Sequence, residues 1–293
     1  MKMELIQKGK NFRLVLQSEL PDILRFLDRY LPESLKLHQT IKLCINNPIW
    51  GFLFYVSKEW PEKPVIIQFP GCTLSPDKNI YQSFSIFCPL SNLKYVDLVT
   101  NEDILINWKK PMYLHFTHTT IVSRLNDFYR TFGTMEELVC DILILNDLNV
   151  NLEIEDFPND EAEIRLLKVE DVKLIHEHYP AKQIESVELF EVLVQKLPAL
   201  GIFNKSSNEL ASWMLCSYYG AMFSMQTLPK YRRKGYGIQV AKALTKRVIE
   251  CDLVPYVAVL PHNAASQNLY RKLGFENAYQ MSRVKMTPHP FLK

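Results

Sequence analysis

Leu228-Pro229-Lys230-Tyr231-Arg232-Arg233-Lys234-Gly235-Tyr236-Gly237 is the stretch that decides how this chain of 293 residues is read. Met222-Phe223-Ser224-Met225-Gln226-Thr227 precedes it and has the look of a strand. Ile238 to Glu250 follows as a helix, with Ile238, Ala241, Leu244, Val248 and Ile249 on one apolar face. A basic loop punctuated by glycine therefore joins a strand to a helix N-terminus. Such a junction offers unpaired backbone N–H groups and the positive end of the helix dipole, and both favour a bound phosphate. Gly235 and Gly237 let the backbone come close to an anion and tolerate positive φ. Arg232, Arg233 and Lys234 add charge, and arginine adds a planar fork matched to phosphate oxygens. Leu228 to Ile249 holds seven Lys or Arg and no acid. A diphosphate ligand accounts for that imbalance. A solvated basic loop before an ordinary helix accounts for the spacing equally well, because short glycine motifs recur by chance.

A second constellation lies downstream, in Leu260-Pro261-His262-Asn263-Ala264-Ala265-Ser266-Gln267-Asn268-Leu269-Tyr270-Arg271-Lys272-Leu273-Gly274-Phe275. Asn263 is a good N-cap, Ala264 to Leu273 a helix, and Gly274 its C-terminal stop. Tyr270 stands two turns after Asn263 on the same face. Taken alone, Asn263 only caps and Tyr270 only packs. Together the two motifs are far more specific. Arg232-x-x-Gly235-x-Gly237 followed by Asn263-x-x-Ser266-x-x-Leu269-Tyr270 resembles the GNAT acyltransferase superfamily over roughly residues 163–287. Leu31-Pro32-Glu33-Ser34-Leu35-Lys36, Leu105-Ile106-Asn107-Trp108 and Thr227-Leu228-Pro229-Lys230-Tyr231-Arg232 extend the likeness to both halves and resemble the glycine N-acyltransferase family.

That resemblance implies a GNAT fold: a mixed, mostly antiparallel sheet flanked by helices, preceded by a second α/β domain. It implies acyl-CoA or acetyl-CoA as cosubstrate and the amine of a small molecule or amino acid, such as glycine, as acceptor. Arg232, Arg233, Lys234, Gly235, Tyr236 and Gly237 are then expected around the pyrophosphate. Met225, Gln226 and Thr227 on the preceding strand are expected along the pantetheine arm, with Asn263, Ser266 and Tyr270 also at the cofactor. A strand N–H would stabilise the oxyanion. Tyr270 is expected as the catalytic residue that donates to the leaving thiolate, its phenol being a weaker acid than a thiol. The sequence departs from the family pattern at the base. Ala221 stands where the glycine-conjugating enzymes have a glutamate, and no carboxylate occurs between Leu210 and Thr227. Water, His262 or Glu209 are the remaining candidates, or an acceptor amine that arrives neutral. Two other readings stay open, a non-catalytic acyl-CoA-binding protein and a protein N-acetyltransferase.

Outward from the loop, the second half reads as strand 163–167, helices 170–179 and 186–197, strands 200–203, 210–217 and 221–227, then strand 256–260 and a last strand 278–286. Asn146 to Glu163 is polar and acidic and reads as a linker, which sets an N-terminal domain at 1–157 and an acyl-CoA-binding domain at 158–293. In the first half Ser18-Glu19-Leu20-Pro21 opens a helix ended by Pro32. Strands are expected at 41–45, 51–56, 65–69 and 81–87, and helices at 93–108 and 120–132. Thr134-Met135-Glu136-Glu137 has capping-box spacing and predicts a helix to Ile144. No internal repeat stands out.

Composition narrows the partners. Apolar residues at 47%, charged residues at 23% and a net charge of +2 suit a globular chain and give no global argument for nucleic acid or membrane. The basic loop lacks the interleaved aromatics of a single-strand groove. Cys44, Cys72, Cys88, Cys140, Cys216 and Cys251 are scattered without a Cys-x-x-Cys pair, the usage of a reduced compartment. His115 with His118, and His176 with His178, lack acidic or thiol partners at ligand spacing, so no metal is expected. A cytoplasmic location is expected, with mitochondrial import the alternative that Lys2, Lys8, Lys10 and Arg13 suggest and Glu4 opposes.

Overall fold

The structure is a computed structural model that describes residues 5–47, 50–71 and 79–290. Lys2, Glu4 and Cys72 lie outside the described residues. The elements of the first half are β1 (Phe12–Leu14), α1 (Leu20–Asp28), α2 (Leu35–Asn46), β2 (Leu53–Ser57), β3 (Ile66–Phe69), β4 (Ser83–Phe87), α3 (Asp97–Thr100), β5 (Met112–His118), α4 (Thr119–Tyr129) and β6 (Gly133–Ile144). Those of the second are β7 (Ala162–Leu166), α5 (Val172–Glu177), α6 (Val187–Lys196), β8 (Ala199–Asn204), β9 (Leu210–Cys216), β10 (Met222–Thr227), α7 (Tyr236–Glu250), β11 (Tyr256–Val259), α8 (Ala264–Lys272) and β12 (Glu276–Pro288). The chain thus runs twice through one order: strand, two helices, three strands, helix, strand, helix, strand. No residue pattern disclosed that repeat.

Two compact units result, one of residues 1–140 with 279–293 and one of 141–278. The chain leaves the first unit partway along β6, ahead of the acidic stretch where a boundary near 157 was expected, and returns to it along β12.

In the first unit the strands stand in the order β1-β2-β3-β4-β5-β12-β6. Neighbours pair antiparallel at β1–β2, β2–β3, β3–β4 and β5–β12, and parallel at β4–β5. Its core gathers Phe12, Tyr55, Phe69, Phe84, Trp108 and Tyr129. Glu102 is fully buried, and its carboxylate accepts the backbone N–H groups of Lys10, Asn11, Ile104 and Leu105 at 2.7–3.2 Å. The Trp108 indole N–H donates to the Glu102 carbonyl at 2.9 Å.

Four expectations for this unit are corrected. Residues 41–45 form the second half of helix α2, whose face buries Leu35, Leu37, Ile41, Leu43 and Cys44. A short apolar run does not distinguish a strand from a buried helix segment. Residues 93–108 hold only a 3-10 turn (Leu90–Val96) and α3. Beyond Thr100 the Glu102 side chain captures the N–H groups that a helix would have used. Residues 134–144 are strand, not helix. The capping-box spacing at Thr134 is a local signal, and the ladder of Asp141 to Ile144 with Val259 to Tyr256 overrides it. Ser18 also makes no cap. Helix α1 starts at Leu20, with Pro21 in its first turn.

In the second unit β7 to β11 and α5 to α8 fall close to where the sequence predicts them. Strands β10-β9-β8-β7 form one antiparallel sheet with β10 at its edge, and β11 pairs with the end of β6 instead of with β10. Trp213, Met214, Leu215 and Cys216 are fully buried on β9. Helix α7 covers this sheet with Val240, Ala241, Leu244 and Val248, all fully buried. Each large side chain so buried stabilises by about 1.5–3 kcal/mol. That packing fixes where the N-terminus of α7 points.

Candidate active site

Strand β10 ends at Thr227, a 3-10 turn (Pro229–Tyr231) follows, and α7 begins at Tyr236. Gly235 sits at the N-cap with φ of +79° and Arg233 has φ of +66°. The left-handed conformation turns successive N–H groups the same way, as in an anion nest. No described hydrogen bond uses the backbone N–H of Arg233, Lys234, Gly235, Tyr236 or Gly237. No side chain caps α7, and no acid lies in its first turn. A Cβ at Gly235 would meet nothing within 4 Å, and one at Gly237 would make only ordinary contact with Leu269 and Thr227. The junction is therefore open from the protein's side.

The loop is pinned by two carboxylates. Glu161 accepts from Lys234 Nζ at 3.0 and 3.1 Å and from the Tyr236 hydroxyl at 2.7 Å. The Tyr236 and Lys234 bonds hold the Glu161 carboxyl below the usual carboxylate range. Glu209 pairs with Lys230 and accepts from the Tyr231 hydroxyl at 2.9 Å, and those contacts likewise lower its pKa. Arg232 Nε donates to the Thr227 carbonyl at 3.2 Å. The Arg233 side chain makes no described contact. The seven cations of this stretch thus differ in kind: Lys230 and Lys234 brace the loop, while Arg233 is uncommitted.

The floor is an open cleft of about 570 Å3 that gathers Met225, Gln226, Thr227, Arg232, Arg233, Gly235, Tyr236, Gly237 and Ser266 from the expected set. Lys234 turns away to Glu161. Asn263 is occupied as the N-cap of α8, its side chain accepting from the Ser266 N–H at 3.2 Å. Ala265, Asn268, Leu269 and Lys272 also line the cleft. Their spacing of three, one and three is the exposed stripe of α8, a periodicity that marks them in the sequence.

Strand β10 carries a register shift between Phe223 and Gln226, and Ser224 has φ of +54°. This bulge bends the edge strand beside Met225. Tyr270 lies on the inner side of α8, 4% exposed, its hydroxyl 3.8 Å from the sulfur atoms of both Met214 and Met225. Burial raises its pKa. The phenol therefore keeps its proton at neutral pH and meets only weak acceptors in this chain.

Comparison with known proteins accords with this arrangement. A family model described as FR47-like protein matches residues 199–284. Human glycine N-acyltransferase-like protein 2 is 20% identical over 274 residues, spanning 88% of this chain and 92% of its own length. A Drosophila protein of known crystal structure, 20% identical, superposes with a TM-score of 0.81 over 96% of this chain and 99% of that one. A tandem GNAT protein from the clavulanic acid biosynthesis pathway gives 0.55 at 9% identity, over 94% and 98% of the two chains. A GCN5-related N-acetyltransferase from Sphaerobacter thermophilus gives 0.54 at 11% identity, over 94% and 95%. The chain has the GNAT fold.

The glycine-punctuated basic loop lies in the second unit. At the matching strand-to-helix junction of the first unit, Cys88 to Val96 has no glycine and a single cation, Lys94. Among the base candidates, Glu209 is committed to Lys230 and Tyr231. Ala221 is 1% exposed and offers no proton acceptor. Among the described residues no group of three or more His, Cys, Asp or Glu is placed to hold a metal ion. Nor is any helix long and apolar enough to cross a membrane.

Proposed function

We propose that this GNAT chain is an acyl-CoA-dependent N-acyltransferase acting on the amine of a small molecule or amino acid, glycine being the acceptor that the resemblance names. The observation that carries the reading is the α7 N-terminus. Five consecutive backbone N–H groups have no acceptor among the described residues, φ is positive at Arg233 and Gly235, the Arg233 guanidinium makes no described contact, and Arg233, Gly235, Tyr236 and Gly237 border one open cleft. Acyl-CoA supplies the thioester carbonyl and, on its cleavage, the thiolate. The loop from Arg233 to Gly237 would bind the pyrophosphate, with Arg232 and Ser266 beside it. The edge of β10 at Met225, Gln226 and Thr227 would hydrogen-bond the extended arm as a further strand. Tyr270 would donate its retained proton to the departing sulfur. The acceptor amine must lose a proton before it attacks, and with Ala221 in place of a carboxylate and Glu209 committed to the loop, water or His262 would take that proton, unless the amine arrives neutral. A cytoplasmic or mitochondrial setting would supply acyl-CoA.

The test is release of free CoA thiol when the chain is incubated with acetyl-CoA and longer acyl-CoAs in turn against a panel of small amines. Turnover with at least one pair is expected. Binding without turnover across the panel, with Tyr270→Phe indistinguishable from wild type, would instead favour the second reading that Ala221 motivates, a non-catalytic acyl-CoA-binding protein.

A further inference from the structure

The Tyr270 hydroxyl touches sulfur on two sides, and the acyl-transfer reading gives neither sulfur a role. Met214 Sδ on β9 and Met225 Sδ on β10 each stand 3.8 Å from it, and among the described residues that hydroxyl has no other hydrogen-bond partner. The pair exists because of the β10 bulge. Phe223 faces Leu215 and Gln226 faces Trp213, so one extra residue lies between the two pairs. Without it Met225 would stand opposite Trp213; with it, Ser224 and Met225 share the place opposite Met214. Ser224 takes φ of +54° in the bulge, a conformation that serine rarely adopts.

The two sulfurs differ in access. Met214 is fully buried, whereas Met225 is half-buried and borders the open cleft. Among the other described methionines, Met112, Met222, Met281 and Met286 are buried, which leaves Met135 and Met225 within reach of a dissolved oxidant. A thioether is a weak hydrogen-bond acceptor. The Tyr270 proton, which burial keeps on the phenol, therefore stays available to a stronger acceptor such as a thiolate. A sulfoxide changes that balance, because oxidation makes the side chain polar and puts an oxygen on the sulfur. An oxygen added to Met225 Sδ on its Tyr270 side comes within O–H···O distance of the hydroxyl, about 2.5–3.0 Å.

We propose that Met225 is a reversible oxidation site, and that its sulfoxide captures the Tyr270 hydroxyl and switches off acyl transfer. The loss of activity rests on the proposed role of Tyr270; the oxidation and the capture do not. The oxidant is a hydroperoxide. Its O–O bond breaks, one oxygen passes to Met225 Sδ, and the sulfur gives up two electrons. The hydroperoxide is reduced to water or an alcohol, with no proton left over. Thiol-dependent reduction of the sulfoxide returns the thioether. In the thioether form two weak acceptors hold the hydroxyl in place without competing for its proton. In the sulfoxide form a strong acceptor stands where Met225 Sδ was the weak one, and the departing thiolate finds the donor already engaged.

The experiment treats the full chain with hydrogen peroxide, removes the peroxide, and adds dithiothreitol to reverse any sulfenic acid or disulfide. Peptide mass spectrometry should find oxygen on Met225 ahead of Met214; the reverse order refutes the site. In the treated wild type kcat should fall by about tenfold or more, towards the level of Tyr270→Phe, while KM for the acyl-CoA moves less. Methionine sulfoxide reductase should return the starting rate. Peroxide should cost Met225→Leu and Tyr270→Phe no further turnover, whatever their own rates. A wild type that keeps its kcat with Met225 fully oxidised, or a Met225→Leu that loses turnover as the wild type does, would overturn the proposal. A wild type with no turnover on any acyl-CoA and amine would instead sink the acyl-transfer reading. The capture is then read from a crystal structure of the oxidised wild type. A sulfoxide oxygen within hydrogen-bond distance of Tyr270 Oη supports it, and an oxygen turned into the cleft refutes it.

Discussion

Substituting Gly235 tests whether the left-handed N-cap of α7 makes the ligand site. Its φ is +79°, and nothing lies within 4 Å of the point where a Cβ would stand, so alanine meets no clash there. The penalty is purely conformational, about 1–2 kcal/mol for an L-residue in this region. The loop around it is exposed, so in free Gly235→Ala the backbone can relax out of the left-handed well. Ligand binding must then restore it. Acyl-CoA affinity should fall by the relaxation energy, roughly 5–30-fold, while the thermal midpoint moves little. Asn tolerates this conformation better than Ala, so Gly235→Asn should retain most of the affinity. Gly235→Glu adds a negative charge. At an effective dielectric of 20 and a separation of about 5 Å from a phosphate the repulsion reaches about 3 kcal/mol per unit charge, an upper value for an exposed loop. The assay is calorimetric titration of acetyl-CoA and one bulkier acyl-CoA into each protein. Equal affinities for wild type, Ala and Asn would show that positive φ at 235 is incidental to binding. Equal losses in Ala and Asn would show that bulk, not conformation, is the cause.

Tyr270→Phe should lower kcat about 100-fold or more while KM for the acyl-CoA and the melting midpoint stay near wild type, because the hydroxyl meets only methionine sulfur; an unchanged kcat argues against a proton-donating role. Glu161→Gln should weaken acyl-CoA binding several-fold by releasing Lys234 and Tyr236, and tighter binding would mean that the negative charge of Glu161 outweighs its bracing effect. Stability should rise with pH from about 7 towards 10.5 through Lys36, whose pKa is depressed by burial and then by Arg283, with His115 held neutral beside them. In that window the unfolded chain binds the extra proton, so the cost of charging Lys36 is complete below pH 7 and disappears as pH rises; denaturant midpoints should show the rise in wild type and a flatter curve in Lys36→Met. Gly133→Ala should destabilise the first unit by about 3 kcal/mol or more, since its Cβ would fall 2.2 Å from the Thr287 carbonyl oxygen and backbone cannot swing aside; a midpoint within a degree of wild type contradicts that packing.

Local chemistry made much of the second unit legible. Asn263 and Gly274 bracket α8 because an N-cap oxygen and a left-handed C-terminal residue satisfy helix ends wherever they occur. Gly235 marked the turn from β10 into α7 because the conformational freedom of glycine is a property of the residue itself, whereas Gly237 takes ordinary helical φ. The first unit was harder to read. The Thr134-Met135-Glu136-Glu137 spacing and the Ile41–Ile45 run each suit two structures, and neighbours distant in sequence made the choice.

By itself, then, the sequence determined the strand–loop–helix of residues 222–250, the capped helix with Tyr270, and the absence of a carboxylate at Ala221. Those features depend on backbone freedom, capping and residue identity, which act over a few positions. Tertiary structure alone decided that Glu161 and Glu209 brace the loop across 73 and 22 positions, that Tyr270 faces inward on Met214 and Met225, and that β6 is strand. It also decided that one order of elements occurs twice and that Lys36 is buried with Arg283 and His115. Ion pairs, ladders and burial join residues far apart in the chain, and their energies depend on neighbours that no local pattern specifies.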